Sequence, residues 1–115
     1  MDRDLVELAR KGDREAFAYL VRRVSDQLYA VAFRILRDPG LAEDALQNAL
    51  VLAWRRLPHL RDVDRFEAWI HRILVHACYD ESARAREWRA NVRVLPVDGP
   101  AAARHPPRLV AAEHH

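Results

Sequence analysis

On a helix read over 64–89, Arg65, Arg72, His76, Tyr79, Ala83 and Arg86 fall in register on one side, with Trp69 and Asp80 at its border. Interleaved guanidinium, imidazole and aromatic groups can pair with phosphates and stack on bases. The preceding segment PHLRDVD adds His59, Arg61 and Asp62. Asp62, Asp64, Glu67, Asp80, Glu81 and Glu87 dilute the positive field, so the same side also reads as a plain solvated face. A second set lies on the helix read over 41–57. At about 100° per residue, Asp44, Gln47, Asn48, Val51 and Arg55 share the side opposite its apolar stripe. Short polar groups there can orient a partner while Val51 supplies desolvation. A solvated face with one stray valine has the same pattern.

Other chemistries find little support. His71 and His76 are five residues apart, whereas two ligands on one helix face stand four apart, so no metal site is expected. The single cysteine, Cys78, excludes an internal disulfide framework and a four-ligand zinc ribbon, and its place beside the apolar stripe reads as a small inert hydrophobe. No glycine loop cradles phosphate, no nucleophile stands beside a base, and no acidic pair is isolated in apolar context. The sequence makes no case for an enzyme or a bound cofactor.

The elements that must hold these residues are helical. The first, over 2–11, ends at Gly12, where a left-handed cap is cheap for a residue without Cβ. Asp13 caps a second run to Asp38 that carries Leu28, Val31, Ala32 and Ile35 at amphipathic spacing and is expected to bend or restart near Ser25. Asp38-Pro39-Gly40 reads as its stop. In the third helix Ala42, Leu46, Ala49, Leu50, Ala53 and Leu57 form the core side, and Pro58 closes it. In the fourth, Phe66, Trp69, Ile70, Ile73, Leu74 and Ala77 do so; Trp54 also reads as core. Four of the six prolines lie beyond residue 90, where the pattern dissolves into an irregular linker or tail. The fold class is all-α: a compact bundle of about four helices over 1–89, then a tail over 90–115 whose closing histidines are compatible with a tag remnant.

Composition sets the outer bounds. The 115 residues allow one small domain. With 19 basic against 17 acidic residues, an acidic partner must be met by a local patch. Lys11 is the only lysine, an arginine bias that suits phosphate forks and that a GC-rich genome also produces. No apolar stretch approaches the ~20 residues of a membrane span, and the charged start MDRDLVELARKGD is unlike a signal peptide. A reducing cytoplasm is the expected location.

The run DREAFAYLVRRVSDQLYAVAFRILRDPGLAEDALQNALVLAW, followed by RFEAWIHRILVHACYDESARARE, closely resembles the second conserved region of bacterial sigma factors, the extracytoplasmic-function (ECF) type in particular. The resemblance covers about 4–89 and is most specific at Ala42-Glu43-Asp44 with Gln47 and Trp54, and at Phe66, Trp69 and Ile70 with Asp80. It implies an alternative sigma factor domain, bacterial and cytoplasmic, that docks on the β′ clamp helices of RNA polymerase and recognises and melts the −10 promoter element. Asp44, Gln47, Asn48, Val51 and Arg55 would then face the polymerase. His59, Arg61, Asp62, Arg65, Trp69, Arg72, His76, Tyr79, Asp80, Arg84 and Arg86 would meet the non-template strand, the segment over 58–64 helping to capture a flipped base. A base must leave the stack before its Watson–Crick edge can be read.

Three positions depart from the family pattern: His76 where asparagine is usual, Ala83 where arginine is frequent, and Asn48 where glutamate is common. The first two leave the promoter sequence open and motivate an alternative, a sigma-like interaction module bound by an anti-sigma factor with little DNA contact. Such factors also continue past a linker into a helix-turn-helix domain that reads the −35 element. The tail over 90–115 looks like that linker cut short, so the sequence reads as a fragment.

Overall fold

The computed structural model describes residues 2–94, with side chains through 92. Its elements are α1 (Arg3–Arg10), α2 (Arg14–Leu36), α3 (Pro39–Arg56), the 3₁₀ turns Leu57–His59 and Val63–Arg65, and α4 (Phe66–Val94). Aspartates open α1, α2, α3 and the second 3₁₀ turn. Asp2 accepts from the Asp4 and Leu5 amides, Asp13 from Ala16 (3.0 Å) and Asp38 from Leu41 (3.0 Å). Asp62 caps the second 3₁₀ turn by accepting from Asp64 (3.0 Å). Each supplies an acceptor for an otherwise unpaired first-turn donor. Gly12 takes φ +108°, a conformation that costs a residue without Cβ little.

Three expectations about the elements are corrected. α2 does not bend or restart near Ser25; it runs unbroken, because buried Val24 and Leu28 carry its stripe through that point. Pro39 and Gly40 do not merely stop α2. Its left-handed cap is Arg37 (φ 57°), and Pro39 occupies the first turn of α3, where a missing N–H costs nothing. α4 passes the expected boundary at 89 and reaches Val94; no proline or glycine occurs in that stretch. The expected tail from 95 onward lies outside the described residues.

Alanine governs the packing at the centre. Ala42, Ala45, Ala49 and Ala53 of α3 are fully buried, and their small side chains let α2 and α4 both pack closely on α3. Leu20 and Leu28 of α2, Phe66, Ile70 and Leu74 of α4, and Leu57 complete a continuous core with Val6 of α1. Phe66 is the largest fully buried side chain. Trp54 is half-buried, its ring tilted against Phe17 at 5.1 Å.

Candidate nucleic-acid and protein interface

Of the expected docking side, Gln47 and Arg55 are exposed, Val51 is 38% exposed and Asp44 is half-buried. Asn48 is a correction. It is buried, and its Nδ2 donates to Glu81 Oε2 of α4 at 3.2 Å. On a helical wheel Asn48 stands about 100° from Gln47, the edge of the polar arc, and α4 covers that edge.

The outward side of α4 is open as expected. Arg72, His76, Ala83 and Arg86 are exposed, as is Tyr79 at 61%. Arg86 donates to Ser82 Oγ (2.9 Å) one turn back. Trp69 is half-buried and leans on Phe66 with ring centres 5.9 Å apart, leaving part of the indole at the border, and Asp80 is exposed there. His59, Arg61, Asp62 and Arg65 are exposed along the two turns before the helix. One oxygen of Asp62 is occupied by its capping bond.

Glu81 and Arg84 are placed differently from expectation. Glu81 does not dilute the outer field; it is 3% exposed and faces α3. Its wheel position, about 180° from Arg72, is a legible signal that the surface reading missed. Arg84 is no free cation beside the outer arc. It is half-buried, its Nη2 donates to Glu81 Oε2 at 2.9 Å, and its buried Nε has no partner. Burial pushes the Glu81 carboxyl above its usual range; Arg84 opposes this, while Asp44 and Asp80 reinforce it. Burial, with the nearby Glu81 charge, likewise raises the Cys78 thiol to about 11, so it is a packing residue with almost no thiolate.

A brace from α1 was not legible in sequence. Arg10 Nη1 donates to the Leu60 carbonyl at 2.7 Å while its Nη2 meets Glu7 at 2.6 Å, and Arg3 pairs with Asp64 at 3.0 Å. These bonds fasten the segment bearing His59, Arg61 and Asp62 to the first helix. No local pattern announces a bond to a carbonyl so distant in the chain.

The Sigma-70 region 2 family matches residues 20–89. The ECF RNA polymerase sigma factor SigM of Mycobacterium tuberculosis is 39% identical over 85 residues, 74% of this chain and 43% of that protein. The ECF RNA polymerase sigma-E factor of Escherichia coli K12 is 35% identical over 75 residues, 65% of this chain and 39% of that protein. The chain thus spans about two fifths of the length of these relatives. Among solved structures, an engineered region 2 of sigmaE in complex with GTAAAA superposes with a TM-score of 0.67 at 31% identity, covering 84% of this chain and 95% of that one.

Proposed function

The chain belongs to the sigma-70 region 2 family, in its ECF type, and on that premise we propose that it docks on the β′ clamp helices of RNA polymerase and recognises and melts the −10 promoter element. It acts as a specificity subunit in the cytoplasm, without catalysis of its own. The observation that carries this reading is a single core presenting two separate open sides: Gln47, Val51 and Arg55 on α3, and Arg72, His76 and Tyr79 on α4. On the first, Val51 loses water against the clamp while Gln47, Arg55 and Asp44 set orientation. On the second, Arg65, Arg72 and Arg86 neutralise phosphates, and His76, Tyr79 and the open edge of Trp69 offer stacking surfaces. His59, Arg61 and Asp62, held by the α1 brace, form the place for a flipped base. The likeness to a sigmaE region 2 in complex with GTAAAA supports a single strand of that kind as the ligand of this side.

The test is binding of β′ clamp helices to wild type, Asp44→Arg and Gln47→Ala. Each variant should weaken the complex, by about 1–2 kcal/mol for a contact near its centre. Unchanged binding in both discards the docking side. In the polymerase-bound form a single-stranded −10 oligonucleotide should bind more tightly than its duplex, with affinity falling as salt rises.

A second reading, a module held by an anti-sigma factor with little DNA contact, is favoured by one observation. Arg84 is tied inward while Asp80 and Glu87 line the same cleft, which lowers the field that part of α4 offers to phosphate. Failure of the polymerase-bound domain to hold the −10 strand would select it.

A further inference from the structure

Glu81 is a nearly inaccessible carboxylate on a helix whose opposite side meets solvent. One oxygen, Oε2, receives both the Asn48 amide of α3 at 3.2 Å and the Arg84 guanidinium of α4 at 2.9 Å. The titratable and charged groups around it are Asp44 on α3 and Cys78, Asp80 and Arg84 on α4. The Arg84 Nε lies buried without a partner, so the guanidinium forgoes one hydrogen bond to stay on the carboxylate. Paired this way, Arg84 and Glu81 contribute no net charge to the helix.

We propose that Glu81 is a positioning residue that withholds Arg84 from phosphate, so that α4 meets a nucleic-acid strand with one cation fewer than its sequence carries. The inference rests on the reading of α4 as the strand-facing helix. Asn48 completes the clasp because a neutral amide can donate to Glu81, whereas a carboxylate at that position would repel it. The clasp fastens the polymerase-facing helix to the strand-facing one through the same atom that holds the arginine. Removing the Glu81 charge while keeping its shape leaves Asn48 an acceptor and releases Arg84 toward solvent.

The experiment uses the full 115-residue chain as wild type, Glu81→Gln, Glu87→Gln and the double variant Glu81→Gln/Arg84→Gln. Two ligands are compared: heparin, as a plain polyanion, and a single-stranded −10 oligonucleotide. Each new cation–phosphate contact steepens the dependence of log K on log salt by about 0.7 for a single strand. Glu81→Gln should show that increment and elute from heparin at higher salt. Glu87→Gln, which removes an exposed charge from the same helix and leaves the clasp intact, should show less. The double variant should return to wild type at neutral pH. Lowering the pH should then make wild type bind heparin more tightly than the double variant, an arm that does not require the single variant to fold.

Equal shifts in Glu81→Gln and Glu87→Gln, or no difference between wild type and the double variant at a pH where Glu81 has taken up its proton, would overturn the proposal. If the Glu81→Gln gain appears on heparin while no form binds the oligonucleotide, the clasp stands and the strand-facing reading of α4 falls.

Discussion

The Glu81 carboxyl gives the protein a pH dependence whose sign follows from where it sits. Burial is the main cause of its raised affinity for a proton, offset by Arg84 and reinforced by Asp44 and Asp80. The unfolded chain takes up this proton near the ordinary value of 4.5, whereas the folded protein takes it up at higher pH. Between the two values the native state binds more protons, so the contribution of this group to stability increases as pH falls through that window. It is absent above the folded value, where both states are ionised. Urea unfolding of wild type and Glu81→Gln across a pH series above 4.5 should show this as a difference in slope, wild type gaining on the variant as acid is added. Parallel curves would mean that Glu81 is not titrating there. The same residue marks the boundary of what the sequence discloses. Helical periodicity puts Glu81 on the core side of α4, but which groups meet it depends on how α3 crosses α4, and no spacing within either helix reports that crossing.

Among the elements, legibility tracks how local the cause is. Asp13 can be read as a cap because its acceptor serves an amide three residues on, and Gly12 as a turn because its φ is set by its own missing side chain. Pro39 is ambiguous for an equally local reason: a residue unable to continue one helix is well suited to open another. The side of α3 bearing Gln47, Val51 and Arg55 is visible from periodicity, while Asn48 at its edge is decided only by the neighbouring helix. The brace between α1 and the turns has no local cause at all, and it carries a prediction. Arg10→Met keeps the apolar stem but leaves the half-buried Leu60 contact without its charged donor. A loss of about 1–2 kcal/mol in urea unfolding is expected, in the range for a hydrogen bond to a charged group at a partly exposed site. Arg3→Ala removes an ion pair whose side chains are 63% and 64% exposed, and should change stability by less than about 0.5 kcal/mol. Negligible losses in both variants would show that α1 is held by its apolar side alone. If the segment over 58–64 captures a strand as proposed, loosening it leaves His59 and Arg61 less ordered before binding, so Arg10→Met should weaken oligonucleotide binding more than Arg3→Ala.

At the scale of the whole molecule, the two open sides have one support. The buried alanines of α3 lie in the core it shares with α2 and α4, and the helix that shows Gln47 outward is the helix on which α4 rests. A protein organised this way should lose both sides in one transition, since neither helix has a core of its own. Ala49→Leu tests this, because Ala49 is fully buried and the larger side chain must strain the packing around it. Overpacking of this kind costs about 1–3 kcal/mol, and each kcal/mol lowers the melting temperature of a domain of this size by roughly 4–8 °C. At ambient temperature most molecules remain folded, so clamp-helix binding and strand binding should both stay near their wild-type values. On warming, the two activities should vanish together at the lowered transition measured by circular dichroism. Gln47→Ala should behave in the opposite way, weakening one interaction at every temperature while leaving the transition in place. If Ala49→Leu removed strand binding while clamp binding persisted, α3 and α4 would be separable units, and a single shared core could not be what holds the two proposed contact surfaces in register.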